Sequence, residues 1–234
     1  LGQEAAPESP AMASAPPYFG YVMSATYFDG AAFAAELRRQ GGWAAVDRAH
    51  REPPAGTFHV MDPARYLAGE RPHVVTLPET LPGLAPPDWQ PVRAATLGEI
   101  ETGAFLLPAG DGELARSGAR GWLGDRFVVY EGPGGALALA WRLRFTDEAA
   151  ADRFVDLARD AEVGSGRGGC EEPPPDASGR RLLTCAQGSD LLAREGREVA
   201  VARGVPVADG PALVEALLAA SVAEAAPRDA APAQ

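Results

Sequence analysis

Hydrophobic positions in this chain recur at helical spacing, then alternate, then return to helical spacing, and the elements follow from those changes of period. Tyr18, Phe19, Tyr21, Val22, Met23, Tyr27 and Phe28 crowd the first stretch, with Phe33 and Leu37 following at helical spacing. They predict a helix from Pro17 with Arg38 and Arg39 in its last turn, ended by Gly41-Gly42, and its aromatics are expected in the core. Residues 43–50 predict a second short helix, stopped by Pro53-Pro54. Asp62 and Pro63 read as an N-cap and a first-turn proline leading one turn of helix through Tyr66. Residues 72–77 are extended, and 89–93 read as an edge strand because Pro91 cannot complete a central ladder. Residues 96–107 fit helix or strand; Leu97, Ile100 and Ala104 share a helical face, which favours helix.

A short helix over 114–119 leads into Gly-Trp-Leu-Gly-Asp-Arg at 121–126, expected as a turn. Residues 126–130 and 136–145 then predict a hairpin across 131–135. In its second strand Leu137, Leu139, Trp141, Leu143 and Phe145 point one way, and Ala138, Ala140, Arg142 and Arg144 the other. One face should therefore be apolar and the other partly solvated. Thr146 is expected to cap a helix whose buried stripe is Ala150, Phe154, Leu157 and Ala161. A loop over 164–178, strands at 180–186, 190–195 and 198–203, and a last helix opened by Asp209-Gly210-Pro211 complete the reading. The expected class is α+β: an N-terminal helical region followed by an antiparallel sheet covered by helices. The expected divisions are a disordered linker over 1–16, a helical extension over 17–77, a Pro-rich linker over 78–88, the sheet domain over 89–223 and a disordered tail over 224–234.

Composition narrows the function. The net charge of −11 repels nucleic acid and anionic membrane surfaces. No apolar run approaches the roughly 20 residues needed to span a bilayer. Every basic residue apart from histidine is arginine, and the chain has neither Lys nor Asn. With Ala, Gly and Pro also abundant this reads as the codon bias of a GC-rich genome, so arginine here is weak support for anion recognition. The chain opens on Leu1 without a signal peptide, so a removed leader or a longer parent protein is expected.

Candidate chemistry is sparse. Gly164, Gly166 and Gly169 match G-x-G-x-x-G, but a helix precedes them and Cys-Glu-Glu-Pro-Pro-Pro follows, where a dinucleotide site needs a strand and then a helix. Cys170 and Cys185 are the only cysteines; two thiols cannot make a structural zinc site, and His50, His59 and His73 lie at no ligand spacing from them. A disulfide in an oxidising compartment is expected, the alternative being two free thiols in the cytosol. Asp111 and Glu113 lack the other ligands of a calcium loop, and Glu171-Glu172 reads as solvated charge. Asp125 and Arg126 are expected to cap the preceding helix and pair locally, with Trp122 packing beneath. Gly121, Trp122, Gly124, Asp125 and Arg126 thus read as structural, and no catalytic, cofactor-binding or metal residue is assigned.

From Tyr18 to about Gly204 the order of motifs resembles the C-terminal half of secreted, gluzincin-like bacterial proteins related to zinc metallopeptidases. The residues carrying the likeness are Gly41-Gly42-Trp43, Pro53-Pro54, Asp62-Pro63-Ala64-Arg65-Tyr66, Thr-Leu-Gly-Glu at 96–99, Gly-Trp-Leu-Gly-Asp-Arg at 121–126, and Ala-Asp-Arg-Phe at 151–154. Asp62 stands where that pattern has histidine, and the zinc motif of such proteins lies upstream of the matched region. The resemblance implies a non-catalytic C-terminal portion of a secreted zinc-metallopeptidase-like protein, with zinc only in a longer parent and an upstream catalytic domain as partner. The alternative is a stand-alone exported binding domain with an extracellular protein ligand.

Overall fold

The computed structural model describes residues 14–224, so most of the two segments expected to be disordered lies outside the described residues. Helix α1 runs from Pro17 to Arg51, broken at Gly41 and Gly42, where φ is −139° and 62°. The two helices expected on either side of the glycine pair are thus both present. Their burial differs from expectation. Tyr27 and Phe28 are 72% and 75% exposed, with Tyr18, Phe19, Met23 and Trp43 also at the surface. The first half of α1 is apolar nearly all round, so no single inward face could be read from it. Only Ala25, Phe33 and Leu37 before the glycine pair and Ala45 after it are buried.

Two short helices follow, α2 (Thr57–Met61), which was not anticipated, and α3 (Pro63–Leu67), whose N-cap Asp62 accepts from Ala64 N at 3.1 Å. Strand β1 (His73–Thr76) lies where the extended stretch was expected. Residues 78–88 do not behave as a linker: Leu81 and Leu84 are fully buried in the core.

The sheet is built from β2 (Gln90–Ala95), β3 (Trp122–Glu131), β4 (Leu137–Phe145), β5 (Cys170–Glu171), β6 (Arg181–Cys185), β7 (Asp190–Glu195) and β8 (Glu198–Arg203). Its order is β2-β3-β4-β8-β7-β6-β5, every pairing antiparallel, with β2 on an edge as Pro91 demands. Helices α4 (Gly98–Phe105) and α5 (Gly112–Ala119) join β2 to β3, and α6 (Glu148–Gly164) crosses from β4 to β5. The N-cap of α6 is Asp147, one residue later than expected; its side chain accepts from Ala150 N at 2.8 Å while Thr146 Oγ1 donates to it.

Both faces of β4 are buried, which corrects the half-solvated face read from its alternation. Trp141, Leu143 and Phe145 pack with Phe154 and Val155 of α6. On the opposite face Ala138 and Ala140 pack with Leu213 and Leu217 of α7 (Gly210–Leu218) and with Leu81 and Leu84. Arg142, on that same face, turns its guanidinium onto the carbonyls of Leu217 and Leu218 and pairs with Glu198 at 2.9 Å. A cation suits the orphan carbonyls of a helix C-terminus. After α7 the chain forms β9 (Ser221–Glu224), which pairs antiparallel with β1. That ribbon joins the expected helical extension to the sheet domain.

Candidate functional site

Of the hexapeptide 121–126 only Gly121 is in a turn; residues 122–126 start β3, with a register shift between Trp122 and Gly124 against β4. Its glycines are sterically demanded. Gly121 has φ +90°, and a Cβ there would sit 2.7 Å from Thr146 Oγ1. At Gly124 a Cβ would run into the carbonyl oxygen of His73, so the bare backbone lets β1 lie across β3.

Asp125, only 2% exposed, does not cap the preceding helix. Its carboxylate accepts from Leu97 N and Gly98 N, each at 3.0 Å, and from the indole nitrogens of Trp122 and Trp141, again each at 3.0 Å. Burial pushes this carboxyl above its ordinary value and the N–H donors pull it back. Since every partner is a donor, the site accommodates the ionised form. Asp125 thereby ties β3 to the N-terminus of α4 and to the neighbouring strand β4. Thr57 Oγ1 accepts a further orphan amide, Ile100 N, at 3.2 Å.

Fixing the first turn of α4 fixes Glu99. This side chain is 4% exposed, and its Oε2 has no hydrogen-bond partner. The cation nearest to it is Arg65 Nη1 at 3.6 Å. Arg65 is itself held by Glu70 at 2.7 Å and 2.8 Å, by Trp122 O at 3.1 Å, and over the Phe58 ring at 4.5 Å. Burial raises the Glu99 carboxyl to about 7, with Arg65 drawing it back down. Glu99 borders a cavity of about 400 Å³ whose other walls are Met61, Asp62, Arg65, Arg116, Arg120, Gly121 and Thr146. Arg116 pairs with Asp29 of α1 at 2.9 Å. The cavity can thus present guanidinium donors beside a carboxyl that exchanges its proton near neutrality.

Three segments distant in sequence meet here: 62–66, 96–99 and 121–126. Arg65, Glu99, Arg116 and Arg120 were not picked out as site residues; the only signal for Arg65 and Glu99 was their place in the motif order. Arg126 is not in this cavity and instead lines a separate groove of about 800 Å³ between β1 and the β2–β3 pair.

The remaining candidates resolve as structure. Cys170 and Cys185 form the expected disulfide, opposite one another on β5 and β6 at a sequence separation of 15. His59 is buried, its Nδ1 accepting from Ala55 N at 3.1 Å and its Nε2 donating to Glu70 O at 2.8 Å. Burial lowers its pKa, and the donor at Nδ1 selects the neutral ring. Residues 164–169 form the C-terminus of α6 and the loop after it, with no strand before them. Among the described residues no three His, Cys, Asp or Glu side chains are placed to hold a metal ion, and no helix is long and apolar enough to cross a membrane.

Fold and site together define a disulfide-linked α+β domain organised on a buried Asp–Trp–Trp anchor. The chain belongs to the family described as Domain of unknown function (DUF8575), which matches residues 89–214. No curated protein and no solved structure matches it. The matched span contains Asp125, both its tryptophans, Glu99, Arg116, Arg120 and the disulfide, whereas Asp62 and Arg65 lie before it.

Proposed function

We propose that this chain is a non-catalytic interaction domain of an exported bacterial protein, docking on a partner domain through the aromatic face of α1. The observation carrying this reading is the exposure of Tyr18, Phe19, Met23, Tyr27 and Phe28 on one helix. Phe19, Met23 and Tyr27 recur at every fourth position and so lie along one side of the helix, and an exposed apolar stripe of this kind marks an interaction surface more than a solvated one. The disulfide supports an oxidising compartment. The hexapeptide supports a structural role, because Asp125 is fully engaged in holding β3, β4 and α4 together. The motif order nominates a zinc-metallopeptidase-like catalytic domain as the partner. The test is metal analysis of the full gene product carrying this chain: stoichiometric zinc is expected, and a full-length protein that binds no zinc removes the metallopeptidase partner.

A specific observation favours the second reading, a self-contained exported binding domain: the cavity beside Glu99 is of ligand-binding size. In that case the 234-residue chain alone retains a ligand, and a zinc-free full-length protein is the expected result.

A further inference from the structure

Among the described residues several arginines are closed off by acids. Arg181 is tied to Asp152, Asp156 and Glu172, Arg194 to Asp152, and Arg203 to Glu162. The cavity between α3, α4 and α5 holds two such arginines, Arg65 on Glu70 and Arg116 on Asp29, and one that is open. Arg120 is exposed at its wall and makes no ion pair among the described residues. Glu99 Oε2 is buried in the same cavity without a hydrogen-bond partner, Arg65 Nη1 standing off at 3.6 Å. A buried carboxyl oxygen left unsatisfied costs folding free energy and calls for an explanation in the site it faces.

We propose that this cavity binds a small carboxylate, whose two oxygens are taken by the guanidiniums of Arg116 and Arg120 and by a proton donated from Glu99. The planar fork of arginine matches a carboxylate in geometry as well as charge. Arg65 is neutralised by Glu70 and Arg116 by Asp29, so the cation left to attract an anion is Arg120, which has no acid partner among the described residues. The volume of about 400 Å³ suits a small molecule rather than a chain segment. In the complex Glu99 is the neutral acid, its O–H donating to the ligand and satisfying the oxygen that is orphaned in the free protein. The proton comes from solvent, so binding takes up a proton wherever free Glu99 is ionised. The charged and titratable groups around Glu99 are Arg65 with its partner Glu70 and Asp62 from the α2–α3 segment, Arg116 from α5 with Arg120 at its C-cap, and Tyr21 and Asp29 from α1. This inference stands apart from the aromatic face of α1 and holds whether or not that face docks a partner.

The test is isothermal titration of the 234-residue chain with sodium acetate and sodium succinate, with inorganic phosphate in parallel. Each titration is run at about pH 6 and about pH 8, in buffers of differing ionisation enthalpy. A carboxylate is expected to bind about tenfold more weakly at the higher pH, with proton uptake there. Arg120→Gln, an exposed substitution that spares the fold, should weaken binding about tenfold or more, the worth of a charge-assisted hydrogen bond. Glu99→Gln should abolish the proton uptake and flatten the pH dependence. Absence of millimolar carboxylate binding overturns the proposal, as does unchanged affinity in Arg120→Gln or unchanged proton uptake in Glu99→Gln. Preference for phosphate over both carboxylates overturns the assignment of ligand class.

Discussion

Replacing Glu99 by Gln should make this protein progressively more stable than the parent as pH rises through neutrality. Glu99 sits in the wall of a cavity, 4% exposed, and burial raises its carboxyl from 4.5 to about 7. The folded state therefore holds this proton more tightly than the unfolded chain. Below pH ~4.5 both states are protonated and the stability it confers is fully present. As pH rises toward 7 the unfolded chain ionises first and stability falls; above the folded value the loss is complete. At ~1.4 kcal/mol per unit the displacement is worth about 3 kcal/mol. Gln keeps the shape and never ionises, so the variant should lack this fall. Urea unfolding followed by tryptophan emission is a suitable assay, since Trp122 and Trp141 are both buried. The difference in unfolding free energy between variant and parent should shift by about 2–3 kcal/mol in favour of Gln between about pH 5 and about pH 8.5. A difference that stays constant across that range would show that Glu99 is not desolvated in the folded state, and the account of the cavity would fail.

Other consequences are open to the same methods. Asp125→Asn places an amide among four N–H donors and leaves donors facing donors, so it should cost about 3–5 kcal/mol in chemical denaturation despite its near-identical shape. Gly124→Ala drives a methyl into the His73 carbonyl and should cost about 1–3 kcal/mol, with faster amide exchange in β1 and β9 as its signature. Replacing Cys170 and Cys185 together by Ser should lower stability by about 3 kcal/mol, read as a fall in Tm that reductant reproduces in the parent protein. Tyr27→Ser with Phe28→Ser should leave stability within about 0.5 kcal/mol, whereas a large loss would mean those side chains are buried after all.

The sheet was readable wherever alternation and turn chemistry agreed. The hairpin of β3 and β4 follows from the strand pattern on either side of Gly132-Pro133-Gly134-Gly135. Strands β6, β7 and β8 were placed to within a residue or two for the same reason. Burial was less readable, because period fixes which residues share a face and not what covers that face. Arg142 and Arg144 made one side of β4 look solvated, although Arg142 instead caps α7 from below. The aromatics of α1 failed in the opposite sense: an all-round apolar segment looks like core whether or not a partner element is at hand. Strand β9 is four residues of small and polar character and exists through its pairing with β1, a long-range contact with no local signature. The cavity shares that difficulty. Arg65, Glu99, Arg116 and Arg120 come from three helices and have no common spacing, and only folding the segments 62–66, 96–99 and 121–126 onto Asp125 brings them together. The disulfide was accessible by counting, because two cysteines admit a single pairing.

The interaction face on α1 is the claim on which the proposed function rests. Amide exchange across the first turns of α1, residues 17–28, compared between the full gene product and the 234-residue chain, tests it most directly. A docked face predicts markedly slower exchange in the full gene product at these residues, with the sheet core unchanged. Identical exchange in both would leave Tyr18, Phe19, Met23, Tyr27 and Phe28 without a docked partner and would contradict the account.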